Sequence, residues 1–278
     1  MPIINTNQSQ YIMSKRIAII GGGNLGTAIA EGFISSGFIA ADDIMITRRN
    51  VAALQSLKDK GANVTSDNVK ATRFADVIII AVKPFQVQEV ILGIKPALEE
   101  TRHILVSVVT GVFIKDIYSI IEKQMPVFRA MPNTAIAIAE SMTCICNQNA
   151  TKEDVQFVED AFMQLGKAVT IEEKLMDAAT VLGACGTAYA MRYIRANIQG
   201  GIEIGFSAAV ASLIAAQTVK GAAQLLLQNN SHPEQEIDKV TTPKGCTIAG
   251  LNEMEHQGFS SSLIKGLTAS YKKITTDM

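Results

Sequence analysis

The sequence predicts an α/β fold: an N-terminal doubly wound domain built on a parallel sheet, followed by an all-helical C-terminal domain. Three observations carry that reading. Short Val- and Ile-rich runs alternate with helical patterns from Lys15 to about Ile171, a glycine-rich turn follows the first run, and the apolar runs stop after Glu172. Strands apolar on both faces belong to a sheet covered by helices on both sides. Composition agrees, with 48% hydrophobic residues, 18% charged and 5% aromatic without Trp in 278 residues. Such a chain buries large cores of Ala, Ile, Val, Leu and Met, which excludes a disordered one.

Taken in order, strands are expected at 16–20, 43–47, 76–82, 103–108 and 126–130, with the runs at 142–146 and 168–171 as antiparallel edge additions. Helices such as 24–36, 50–60 and 86–98 fill the intervals. Residues 1–14 are polar and patternless and read as a disordered extension, so the first domain spans 15–172. Across 173–278, helices are expected at 173–182, 187–204, 207–228, 246–257 and 259–273. The stretch 207–227 is apolar nearly all round, yet carries Gln217, Lys220 and Gln224. Those groups are costly in lipid, so it reads as a bundle helix and no membrane is expected as a partner. Its apolar surface exceeds what five helices cover, so this domain is expected to dimerise.

Twenty-five Lys and Arg against 26 Asp and Glu leave a net charge of −1, without the basic excess that a nucleic-acid partner requires. Cys144, Cys146, Cys185 and Cys246 form no Cys-x-x-Cys pair, and no sequence resembling a secretory signal opens the chain. Reduced thiols in a cytoplasmic protein are the expectation.

After the first strand stands Gly21-Gly22-Gly23-Asn24-Leu25-Gly26, and a helix follows to Ser36 with Gly37 as its stop. Strand, glycine turn and helix in that order form a dinucleotide site. Gly21 permits the turn, Gly23 admits the pyrophosphate, Gly26 lets the helix pack closely, and the helix N-terminus supplies N–H groups and partial positive charge. An NAD site would place Asp or Glu at the end of the second strand. Here the strand ends Thr47-Arg48-Arg49, while Asp42 and Asp43 lie at its other end. Two guanidiniums and a hydroxyl suit a 2′-phosphate, so NADP is favoured, with NAD as the alternative. The fourth strand ends Ala81-Val82-Lys83-Pro84, which its carboxyl end sets over the same crevice.

A bound nicotinamide carries the hydride chemistry, so the protein needs substrate-orienting groups more than a nucleophile. His103, His232 and His256 lie in no metal-ligand spacing, no metal is expected, and no nucleophile elbow is present. Two small-residue segments stand out instead. One is Gly183-Ala184-Cys185-Gly186-Thr187-Ala188-Tyr189. The other, Thr242-Pro243-Lys244-Gly245-Cys246-Thr247, leads into a helix whose N-terminus suits a carboxylate.

These segments, with Arg129-Ala130-Met131-Pro132-Asn133-Thr134 and Ala215-Ala216-Gln217-Thr218, resemble the pyrroline-5-carboxylate reductase family in the same order along nearly the whole chain from Lys15. The resemblance implies a Rossmann domain and a helical domain that forms an interlocked homodimer, in some members a decamer. It implies reduction of 1-pyrroline-5-carboxylate to proline by NADPH or NADH. Cofactor contacts carried over fall on Ile20, Gly21, Gly23, Asn24, Leu25, Gly26, Thr47, Arg48, Arg49, Asn68, Ala81, Val82, Lys83, Pro84, Val108, Val109 and Thr110. Substrate contacts fall on Glu173, Gly245, Cys246 and Thr247, with Thr247 as the catalytic candidate for holding the ring-nitrogen proton. Where the family has Ser-Pro-Gly-Gly-x-Thr, this chain has Lys244, which is expected to keep the turn out of the left-handed region. Ser is likewise largely replaced at 183–189, leaving Thr187 as the nearest hydroxyl.

Two other functions compete. A hydroxyacid dehydrogenase of similar build wants a Lys or His acid in the helical domain, and 183–204 offers only Arg192 and Arg195. A nucleotide-binding module without turnover would bind cofactor and consume none.

Overall fold

A computed structural model describes residues 15–277; the expected N-terminal extension lies outside them. Eight strands form one sheet in the order β3-β2-β1-β4-β5-β6-β7-β8. They are β1 Ile17–Ile20, β2 Ile44–Thr47, β3 Asn63–Thr65, β4 Val77–Ile80, β5 Ile104–Ser107, β6 Val127–Met131, β7 Ser141–Gln148 and β8 Gly166–Thr170. β1 to β6 run parallel, β7 pairs antiparallel with β6, and β8 pairs parallel with β7. Both late strands therefore oppose the direction of the rest, as expected. β3 was not expected: three half-buried residues at a sheet edge leave no apolar run to read.

The helices of this part are α1 Asn24–Ser36, α2 Gln55–Asp59, α3 Asn68–Phe74, α4 Val87–Ile94, α5 Ile114–Ile121, α6 Lys152–Met163 and α7 Met176–Ala179. Strand pleating sorts the core. Ile17 and Ile19 of β1 join one cluster with Phe33 of α1 and Phe162 of α6, while Ala18 and Ile20 join another with Ile91 of α4 and Ile117 of α5. The sheet is thus covered on both faces, which is why its strands read as unbroken apolar runs. His103 is fully buried beside β5, and its Nδ1 accepts the Glu99 N–H at 2.9 Å. Burial pulls its pKa down, so it is held neutral as a structural group.

Packing divides the chain after Ala184, and Cys185–Asp277 forms the second compact unit. Sequence rhythm sets the boundary at 172; residues 173–184 pack with the sheet because Met176 is fully buried in its second core cluster. The helix expected at 173–182 is a 3₁₀ turn, then α7, then a π-helical segment Thr180–Cys185. Gly183 and Ala184 leave room for that wider turn, and Asn133 Nδ2 donates to the Gly183 carbonyl at 3.3 Å.

Among the described residues the second unit is helical: α8 Gly186–Glu203, α9 Ala208–Asn229, α10 Pro233–Lys239, α11 Cys246–His256 and α12 Phe259–Asp277. α10 was missed because its charged sequence has no apolar period. Its start is nonetheless well specified, with Pro233 in the first turn and His232 Nδ1 accepting the Glu234 N–H at 3.2 Å. In α9 only Ala211 and Ala215 are buried, while Leu213 and Leu227 are 72% and 71% exposed.

Candidate active site

β1 and β4 are neighbours, but the chain leaves β1 towards β2 on one side and β4 towards β5 on the other. A crevice opens at such a switch point. Here it is a cleft of about 880 Å³ at the carboxyl ends of the strands. Ile20 and the glycine turn form its floor with Asn24 and Leu25. Thr47 to Arg49 close one side with Asn68 at the head of α3, and Ala81 to Pro84 and Val108 to Thr110 close the other. Every residue expected at the cofactor lines this cleft except Gly26, which lies beneath the turn. Sequence reasoning missed Ser66, which follows the unexpected β3, and Gln86, Glu89 and Val90 around the start of α4.

The glycines have separate duties. Gly21 has φ +113°, and a Cβ there would lie 2.4 Å from the Ala81 carbonyl oxygen. A Cβ on Gly26 would lie 2.1 Å from the Gly21 oxygen, so α1 packs directly on the turn. A Cβ on Gly23 would project into open space. Gly23 is also the N-cap of α1, no side chain caps it, and the first helical turn carries no acid. The cleft therefore meets an open, partly positive helix end, which fits the phosphates of a dinucleotide.

The end of β2 braces the same turn. Gly22 N–H donates to the Thr47 carbonyl at 2.6 Å, and Gly21 N–H to Thr47 Oγ1 at 3.3 Å. Thr47 is only 2% exposed and its hydroxyl accepts from the turn, which leaves its own O–H to donate into the cleft that it lines. Arg48 Nη1 donates to the Gly22 carbonyl at 2.9 Å, and Arg48 and Arg49 are both exposed. The acids Asp42 and Asp43 lie on a 3₁₀ turn before β2, away from the cleft end.

Glu173 is half-buried, and its Oε1 is engaged on two sides. Ile114 N–H donates to it at 2.7 Å and Arg129 Nη1 at 3.0 Å. Opposite Arg129 on β7 sits Cys146, whose thiol burial pushes up to about 11, with the Glu173 charge adding to the effect. It is an inert core thiol.

In the second unit, Gly245 N–H donates to the Thr242 carbonyl at 2.9 Å, closing a turn with Pro243 and Lys244 at its centre. Lys244 has φ +59°. The expectation that lysine keeps this turn out of the left-handed region is therefore corrected: turn closure imposes the geometry and the lysine bears a strain of about 1–2 kcal/mol. Gly245 has less freedom, since a Cβ there would lie 2.5 Å from Thr242 Oγ1. It is the N-cap of α11, no side chain caps it, and Cys246 and Thr247 stand exposed in the first turn.

A doubly wound sheet with this cleft at its switch point defines a dinucleotide-binding protein of the Rossmann type. Residues 16–111 match the family model described as NADP oxidoreductase, coenzyme F420-dependent, and residues 173–276 match that described as pyrroline-5-carboxylate reductase dimerisation. Pyrroline-5-carboxylate reductase 2 of Dictyostelium discoideum is 46% identical over 276 residues, covering 94% of this chain and 92% of that one. Pyrroline-5-carboxylate reductase 1 of the same organism is 46% identical over 269 residues, covering 92% of this chain and 49% of the relative, so the chain spans about half of that protein. The crystal structure of Plasmodium falciparum pyrroline carboxylate reductase with NADP bound superposes with a TM-score of 0.83 at 26% identity, covering 94% of this chain and 97% of the other. The chain belongs to the pyrroline-5-carboxylate reductase family and is an NADP-dependent oxidoreductase.

Proposed function

We propose that this chain reduces 1-pyrroline-5-carboxylate to proline, the last step of proline synthesis, with NADPH preferred to NADH. The observation that carries the reading is the cleft itself. In a chain 46% identical to a pyrroline-5-carboxylate reductase over 276 residues, it joins an uncapped helix end to two exposed arginines and no acid at the end of β2. NADPH supplies the hydride when bound. The residues of the cleft hold it: the N-terminus of α1 takes the pyrophosphate, and Arg48 and Arg49 take the 2′-phosphate.

The substrate carboxylate docks on the backbone N–H groups of Cys246 and Thr247, where the helix dipole favours an anion without a formal charge; the Gly245 N–H, expected to join them, is spent on the Thr242 carbonyl. The Thr247 hydroxyl holds the proton at the ring nitrogen, keeping the imine electrophilic. Glu173, by contrast, already spends one oxygen on Ile114 and Arg129. Purified chain should oxidise NADPH on addition of pyrroline-5-carboxylate, and Thr247→Ala should lower kcat/KM by about 10²-fold. Tight NADPH binding without consumption would instead establish a binding module, and an unchanged kcat/KM in the variant would remove Thr247 from the mechanism.

The chain acts as a homodimer or a larger ring through its helical unit, supported by the bare apolar surface of α9 and by the dimerisation match at 173–276. Sedimentation at micromolar concentration should give at least twice the chain mass; a monomer would overturn this. Its place is the cytoplasm, a reducing compartment, which four unpaired thiols support. Recovery of the tagged full chain in a membrane fraction would contradict that placement.

A further inference from the structure

We propose that Arg129 and Glu173 are a positioning pair that fixes the Val108–Thr110 wall of the cofactor cleft. The inference rests on the reading of that cleft as the NADPH site.

Arg129 is 1% exposed, and its Nε and Nη2 are buried without a hydrogen-bond partner. A guanidinium buried with one ion pair is a poor route to stability, since an apolar side chain of similar size fills such a space at lower cost. Its contacts point to another purpose. Nη1 reaches Glu173 Oε1 at 3.0 Å, and the guanidinium lies over the Phe113 ring at 4.8 Å. The same Glu173 oxygen receives the Ile114 N–H, the first of α5. Helix starts need such an acceptor, and Phe113 at the N-cap has no side-chain oxygen to offer. The Phe113 N–H is met locally by Asp116 Oδ2 at 3.1 Å, whereas the acceptor for the Ile114 N–H comes from a residue 59 positions away that is itself held by Arg129.

The segment that this anchors begins in the cleft. Val108, Val109 and Thr110 line it, Gly111 turns the chain at φ +76°, and α5 follows. The near end is tied to β6 as well: Thr110 Oγ1 donates to Met131 Sδ at 3.7 Å. Met131 stands two residues beyond Arg129 on the same face of β6. One strand thus holds the wall at Thr110 through Met131, and holds the segment that follows it at Phe113 and Ile114 through Arg129 and Glu173. Glu173 is also the first residue of the dimerisation match, yet it packs within the sheet unit.

The test uses the full chain. NADPH fluorescence titration and thermal melting are measured for wild type, Arg129→Met, Glu173→Gln and the double variant. Each single variant should weaken NADPH binding by about fivefold, and the double variant by no more than about the same factor, because the two act as one unit. In Arg129→Met the KM for NADPH should rise more than kcat falls. A merely structural pair would lower the melting temperature and leave the NADPH dissociation constant of the folded protein unchanged; that result in both single variants overturns the inference. Where Arg129→Met does not fold, Glu173→Gln decides, since that residue is partly exposed. Failure of the wild type to bind NADPH is a different result, and it refutes the reading of the cleft itself.

Discussion

Gly26→Ala is expected to weaken NADPH binding by about 100-fold or more, a loss on the order of 3 kcal/mol. The added Cβ would stand 2.1 Å from the Gly21 carbonyl oxygen. Backbone lies on both sides of that contact, so no rotamer relieves it. Either α1 moves off the turn or the turn moves into the cleft, and both displace the N–H groups that face the pyrophosphate. Gly23→Ala is the contrasting variant: its Cβ meets no protein atom and leaves the fold intact, so the binding it loses comes from crowding the pyrophosphate in the cleft and not from a displaced turn. Fluorescence titration with NADPH and thermal melting distinguish the two. A dissociation constant for Gly26→Ala within threefold of wild type would show that the turn is softer than its packing indicates.

The second large effect separates two adjacent arginines. Arg49→Ala should raise the KM for NADPH about tenfold or more and leave the KM for NADH nearly unchanged, since its loss removes a charged partner only of the 2′-phosphate. Arg48→Ala should impair both cofactors. Its Nη1 also holds the Gly22 carbonyl at 2.9 Å, so its removal loosens the glycine turn that either dinucleotide needs. Steady-state kinetics with each cofactor are the measurement. Equal loss with both cofactors in Arg49→Ala would take it away from the phosphate, and a purely NADPH-specific loss in Arg48→Ala would mean that the Gly22 contact is dispensable.

Much of this was legible because local sequence carries it. Ile17 to Ile20 and Val77 to Ile80 are buried on both faces, and such strands advertise themselves. The glycine turn and the arginine pair each lie within a few residues, so spacing alone reveals them. Other features depend on contacts between distant segments. The Thr47 hydroxyl also braces Gly21, which only the register of β1 on β2 decides. Arg129 and Glu173 lie 44 positions apart, and nothing in either neighbourhood announces the other. β3 and α10 escaped for the opposite reason: each is short or charged, and is set in place by its neighbours and caps rather than by an apolar pattern.

The left-handed Lys244 shows that glycine at a turn centre is a preference and not a condition of the shape. A strain of about 1–2 kcal/mol is within reach of a well-packed chain, so the position is open to any side chain whose benefit exceeds that amount. Turn and helix head can therefore be inherited unchanged while the ornament upon them varies. In this protein the ornament is an ammonium one residue before the N-cap of an uncapped helix, a second cationic feature laid over a backbone that is already electropositive.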